Sequence, residues 1–228
     1  MMRKKTHLDQ IPFVFSEASD TLNQEGEPVL TMELHWPEGD DGCPKKLARL
    51  LALSASVWAA RWRGVLYPRA CAALAACRER SRPFTPWVCR LESQVTYNEN
   101  GLFCAVWTAS EQHGESRRSL LRYSLVWDCR DGAPRPLSSF FPGWRWRRQV
   151  LNSVTDEARQ RLNSGESLLD HDLSGLRRHF SPRRFQLAEG RIEVYYPQCS
   201  IGAYAEGIPT FPVAELPHSG LDAGTESL

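Results

Sequence analysis

The chain has 228 residues, 42% of them hydrophobic and 24% charged, proportions of an ordinary globular protein that exclude collagen, coiled coil and wholesale disorder. Its 28 basic residues face 27 acidic ones, a net charge of +1, so no overall field gathers nucleic acid or anionic lipid. Only four of the basic residues are lysines (Lys4, Lys5, Lys45, Lys46), an arginine excess that a GC-rich coding bias accounts for.

Residues 1–27 are polar and aperiodic and are expected to form a flexible N-terminal segment, apart from Ile11-Pro12-Phe13-Val14-Phe15, which can add an edge strand. The pattern sharpens at Val29: Leu30, Met32, Leu34 and Trp36 alternate with Thr31, Glu33 and His35, as in a strand with one buried face. A helix then opens near Pro44, with Leu47, Leu50, Leu51, Ser54, Trp58, Trp62 and Val65 at three- and four-residue steps. Pro68 lacks an amide donor and crowds the turn before it, which predicts a kink or a second helix over 69–80. Three strands follow. Cys89 to Tyr97 alternates, Leu102 to Thr108 is apolar on both faces and reads as a central strand, and Leu121 to Trp127 alternates again. Asn100-Gly101 supplies the tight turn between the first two.

A second set of elements starts near Trp144, where Trp146, Val150, Val154, Ala158 and Leu162 mark one helix face and Gly165 its end. Leu169, Leu173, Leu176 and Phe180 predict a shorter helix over 169–179. Phe185/Leu187 and Ile192/Val194/Tyr196 form a hairpin about Glu189-Gly190, and 208–213 makes a last edge strand where its prolines are tolerated. The predicted order is β-α-β-β-β, then α-α-β-β-β: an α+β fold of antiparallel sheets packed against amphipathic helices. Residues 28–216 would form one domain, with halves of about 28–130 and 137–216, and 217–228 a disordered tail.

Nothing approaches the roughly 18 consecutive apolar residues of a membrane span. Residues 6–12 hold His7, Asp9 and Gln10 where a signal peptide would be apolar, so a cytoplasmic location is expected. The seven cysteines form no Cys-x-x-Cys pair and are expected to be reduced and mostly buried. The histidines are scattered, and Asp170-His171-Asp172 diverges by about 100° per residue on a helix, so neither a metal site nor a cofactor is expected. A hydrolase built on Cys199 or His171 has no local motif behind it. Pro142-Gly143-Trp144-Arg145-Trp146-Arg147-Arg148 interleaves aromatics and cations as nucleic-acid surfaces do; the balanced net charge argues against that partner, and one tryptophan is expected to pack inward under arginine stems.

The stretch 195–209, Tyr-Tyr-Pro-Gln-Cys-Ser-Ile-Gly-Ala-Tyr-Ala-Glu-Gly-Ile-Pro, joins two strands with a high density of Tyr, Gly and Pro. Such a loop is stiff, and amphipathic aromatics on a stiff loop make a preorganised recognition surface. The alternative is a folded-back connection whose tyrosines pack locally, in a structural or regulatory protein without a ligand there.

This stretch, followed by Phe211-Pro212-Val213, resembles the C-terminal signature of the RsiV-like domain family, aromatic-x-x-Pro-Tyr-Glu-Ile-Ala-Pro-Tyr-Ala-x-Gly-Ile. Tyr97-Asn98 and Leu137 to Phe141 match further family features, and the similarity extends over about 28–216. The resemblance implies an α+β binding module without catalytic residues. The best-known member binds lysozyme through its extracytoplasmic part, and relatives occur beside cell-wall-modifying domains. Here Cys199, Ser200 and Ala203 replace the usual Tyr, Glu and Pro, and only His113-Gly114 remains of the family's Gly-Gly-Ala-His-Gly, departures that leave lysozyme binding open; with neither a transmembrane helix nor an N-terminal sigma-binding segment read in the sequence, an anti-sigma role does not carry over. The expected partner is an unidentified protein or cell-wall-related ligand, met by Tyr196, Pro197, Tyr204 and Gly207, with the two tyrosines exposed.

Overall fold

The computed structural model describes residues 10–216; the expected C-terminal tail and the first nine residues of the N-terminal segment lie outside them. Two sheets and four α-helices form in the order expected, with additions at both ends of the first half. β1 (Phe13–Gln24), β2 (Glu27–Gly39), β3 (Trp87–Glu99), β4 (Leu102–Gln112), β5 (Ser119–Asp128) and β6 (Ala133–Pro134) make a six-stranded sheet in that order. β7 (Phe185–Ala188), β8 (Arg191–Tyr195) and β9 (Thr210–Glu215) make a three-stranded one. The mixed α+β class is as predicted, although β2 and β3 run parallel, because the helical crossover between them returns the chain in the same direction.

β1 corrects the expectation of a flexible segment over 1–27. It pairs with β2 along its whole length, and Glu25-Gly26 turns the hairpin with both residues in the left-handed region (φ 52° and 85°). Asn100-Gly101 and Glu189-Gly190 close two more hairpins with the same backbone angles. Glutamate at the first turn position is a weak signal, whereas Asn-Gly is a strong one. Both faces of most of β1 are polar because it is the sheet edge.

α1 (Lys45–Arg61) lays Leu47, Leu51, Ser54 and Ala55 against the sheet. A π-helical turn over Trp62–Leu66 then joins it to α2 (Tyr67–Glu79). The Tyr67 N–H bonds back five residues to the Trp62 carbonyl, so the turn holds one residue more than an α-helix would. The apolar stripe slips accordingly: Leu66 is buried, and Val65, expected in the stripe, is exposed. Pro68 at the start of α2 has no N–H to place. Beyond it, Ala70 and Leu74 cover Val29 of β2.

β4 is apolar on both sides because it serves two cores. Phe103, Ala105, Trp107 and Ala109 join α1 and β2 in one cluster. Cys104 and Val106 join the second half of the chain in another, with Val150, Val154 and Ala158 of α3 (Trp146–Ser164). β7 rests on that second face: Ser124 Oγ donates to the Phe185 carbonyl, and the Leu187 N–H donates to Cys104 Sγ at 3.4 Å. A 3-10 turn over Leu137–Phe140 buries Leu137 ahead of α3, and Gly165 ends that helix at φ 71°.

α4 spans only Ser174–His179, five residues less than its apolar period predicts. Leu169 instead makes a β-bridge with Gly202, and Asp172 accepts from the Ser174 amide (3.0 Å) and hydroxyl (2.8 Å), starting the helix there. Main-chain pairing outweighs the periodicity. All seven cysteines are free, with Cys89 and Cys104 buried and Cys199 exposed. No helix of the described residues is long and apolar enough to cross a membrane.

Candidate functional site

The segment 195–209 leaves β8 and returns into β9, and its two ends differ. Alternation along β8 sends neighbours to opposite faces, so Tyr195 and Tyr196 diverge, and both find cover. The Tyr195 hydroxyl lies 3.2 Å from Ser124 Oγ, with the Arg122 guanidinium 5.8 Å from its ring. Tyr196 is 1% exposed. Its ring meets Phe211 edge-on at 5.6 Å and its hydroxyl donates to the Leu176 carbonyl at 2.9 Å. Burial pushes both phenols above their usual range, Tyr195 less freely because Ser124 hydrogen-bonds it. Tyr196 is therefore a core residue and not a ligand contact: it continues the Ile192/Val194 stripe, a periodicity that takes precedence over the composition of the loop.

Beyond Tyr196 the chain is held at every few residues. Gln198 Oε1 accepts the Leu120 amide of β5 at 2.9 Å. Ser200 bonds back to the Pro197 carbonyl through its amide (3.1 Å) and hydroxyl (2.7 Å), with Cys199 forced to φ 60° between them. Ile201 is buried, and its carbonyl takes the Asp170 amide at 2.9 Å. The Ala203 amide bonds the Leu168 carbonyl, also at 2.9 Å. Gly202 permits this approach: a Cβ there would stand 3.0 Å from the Leu168 carbonyl oxygen and 3.1 Å from Leu169 Cα.

A 3-10 turn over Tyr204–Glu206 forms the crest. The Glu206 carboxylate accepts the Ser167 hydroxyl (2.9 Å) and the Leu168 amide (2.8 Å). Gly207 closes the turn at φ 69°, ψ −121°, backbone that suits glycine alone. Tyr204 is half-buried, short of the exposure expected of it, because its hydroxyl donates to the Arg118 carbonyl and the Arg117 guanidinium stands 5.4 Å over its ring. Pro197 is half-buried at the foot of the turn. Of the four residues expected to meet a ligand, Tyr204, Pro197 and Gly207 thus belong to one braced surface feature and Tyr196 to the interior beneath it.

Arg117, Gln198, Ser167 and Glu206 were absent from the sequence reading. Their partners lie 38 to 87 residues away, and no local pattern announces such pairings. Five grooves of 220–580 Å³ lie on the described residues, none of them lined by residues 196–209. Cys199 is exposed, and among the described residues no hydrogen bond joins it to a histidine. His171 is exposed on the α4 approach. Among the described residues no three His, Cys, Asp or Glu side chains gather as metal ligands would.

No family model matches the chain, and no curated protein matches it. Solved structures do. A crystal structure of a DUF3298 family protein from Pseudomonas aeruginosa PAO1 superposes with a TM-score of 0.56 at 17% identity, covering 90% of this chain and 91% of that one. A DUF3298 member from Bacteroides fragilis NCTC 9343 superposes with a TM-score of 0.58 at 14% identity, covering 91% and 92%. At these identities the likeness is one of fold, and it spans nearly all of both chains.

Proposed function

We propose that this protein is a non-catalytic binding module of the RsiV-like kind, which meets a partner protein at the crest of the 196–207 loop. Domains of the DUF3298 type include the extracellular part of RsiV, and the fold shared with two such proteins supports the assignment. The observation that carries the binding role is the state of Tyr204: a half-buried aromatic at the surface, capped by Arg117, on a turn fixed by two carboxylate hydrogen bonds and a main-chain bridge. A side chain held this way loses little freedom on binding, and Tyr and Arg are both enriched at interface hot spots. Small ligands occupy concave sites, and none of the five grooves described above is lined by this loop; a cell-wall fragment is the second choice for that reason. Seven unpaired thiols favour a reducing compartment, the cytoplasm, for this chain.

The test is binding of purified chain to lysozyme and, separately, to soluble peptidoglycan fragments, with wild type and Tyr204→Ala side by side. A bound partner whose affinity falls at least about tenfold in Tyr204→Ala, with unchanged circular dichroism, supports the reading. No binding of either probe, or binding that Tyr204→Ala leaves intact, contradicts it.

A further inference from the structure

A second surface, far from the crest in sequence, has its own chemistry. From Gly132 to Thr155 the chain holds four arginines and no Asp or Glu, and from Leu173 to Ala188 it holds four more, again without an acid. In a protein of net charge +1 this is a strong local asymmetry. The fold brings the two stretches together around one groove of about 470 Å³, walled by Leu125, Pro136, Trp146 and Phe185 and flanked by Arg135 and Arg183. No Asp or Glu lines it. Of the eight arginines only Arg135 is in an ion pair among the described residues, with Asp128. Two residues before Trp146, Trp144 is 83% exposed with Arg145 4.6 Å over its ring.

One wall of this groove is the margin of the large sheet. β6 pairs with β5 only at Trp127 and Asp128, and the Arg135 amide closes onto the Val126 carbonyl at 2.8 Å. From there back to Leu120, whose amide Gln198 takes at 2.9 Å, no strand of the described residues lies on the outer side of β5. A strand edge offers main-chain hydrogen bonds to an extended peptide, and pockets beside it select the peptide's side chains. Guanidinium groups on the rim select carboxylates.

The geometry points to a docking site for an extended acidic peptide segment of a partner protein, which pairs with the outer edge of β5, seats an apolar side chain between Trp146 and Phe185, and sets carboxylates against Arg183 and its neighbours. A nucleic acid fits less well. It has no main chain to pair with a sheet edge, and prolines and aliphatic residues form as much of the wall as the aromatics that would stack its bases. The site adjoins the 196–207 loop where Gln198 takes the Leu120 amide, but it uses neither Tyr204 nor Arg117, and neither reading requires the other.

Panning a random octapeptide library against the whole chain tests the proposal, with a dT12 oligonucleotide as competitor. The expected result is enrichment of peptides carrying two or more acids around an apolar residue. Binding of the enriched peptides should weaken at least tenfold in Arg183→Glu, which changes an exposed side chain, and persist in Arg49→Glu on the far side of the sheet. Tyr204→Ala should leave this binding unchanged. Enrichment without acidic bias, no enrichment at all, retention in Arg183→Glu, or displacement of the peptides by dT12 each overturns the proposal.

Discussion

The root and the crest of the 196–207 loop are built from the same few residue types and do opposite things. At the root, Tyr196 is enclosed, edge-on to Phe211 and hydrogen-bonded to Leu176. At the crest, Tyr204 spends its hydroxyl on the Arg118 carbonyl and leaves part of its ring at the surface under Arg117. The contrast teaches that an aromatic-rich loop is not a recognition surface by composition. Strand alternation continuing out of β8 claims the first tyrosine for the core, and only where the chain leaves that alternation is a ring free to meet a partner.

The largest effect that would break this contrast belongs to the root. Tyr196→Ala should lower unfolding free energy by about 3–5 kcal/mol in urea titration, as large buried aromatics do, and Tyr196→Phe by about 1–2 kcal/mol through the carbonyl left unpaired. If Tyr196→Ala proves no worse than Tyr204→Ala, the distinction fails. Gly202→Ala comes next, at about 1–3 kcal/mol, because its methyl would press on Leu168 and Leu169; it should also loosen the crest, seen as faster amide exchange at Ala203 and Leu168.

High pH should act on the interior. Burial pushes the Cys104 thiol up to about 11 and the Cys89 thiol up to about 12, and raises the Tyr196 phenol, whereas unfolded thiols and phenols ionise near about 8.5 and 10. A group whose folded value is raised gives stability that is complete below its unfolded value and lost as pH rises. The urea midpoint should therefore hold to about pH 8.5 and decline toward pH 11, and Tyr196→Phe should flatten the decline only above about pH 10. A midpoint that rises over this interval would contradict the burial of these groups. Smallest of all, Tyr204→Ala should change stability by less than about 1 kcal/mol while removing partner binding, the reverse of Tyr196→Phe.

Much of the fold was legible because hydrophobic period is a local signal. The β2 alternation, the two-faced apolar run of β4, the α1 and α3 stripes and the Glu189-Gly190 turn all stand where the sequence places them. What escaped was governed by distant partners. β1 is polar on both faces and is a strand only because β2 pairs with it. The helix expected from Leu169 gives way to a bridge with Gly202, and the π-helical turn at Trp62 shifts the α1 stripe by one residue while its indole donates to Glu111 at 3.0 Å. The site was legible in part: Tyr204 and Gly207 carry visible signals, but Glu206, Gln198 and Arg117 acquire their roles only when residues far along the chain arrive beside them.

Because β4 faces α1 with one set of side chains and α3 with the other, the chain has no place to be cut. A fragment ending near residue 132 would present Cys104, Val106 and Val126 to water, and the complementary piece would lose the floor on which Phe185 and Leu187 rest. Each half is the other's missing wall. Mixed in equal amounts, the two pieces should reassemble into a noncovalent heterodimer, while either piece by itself should clump through that bare surface.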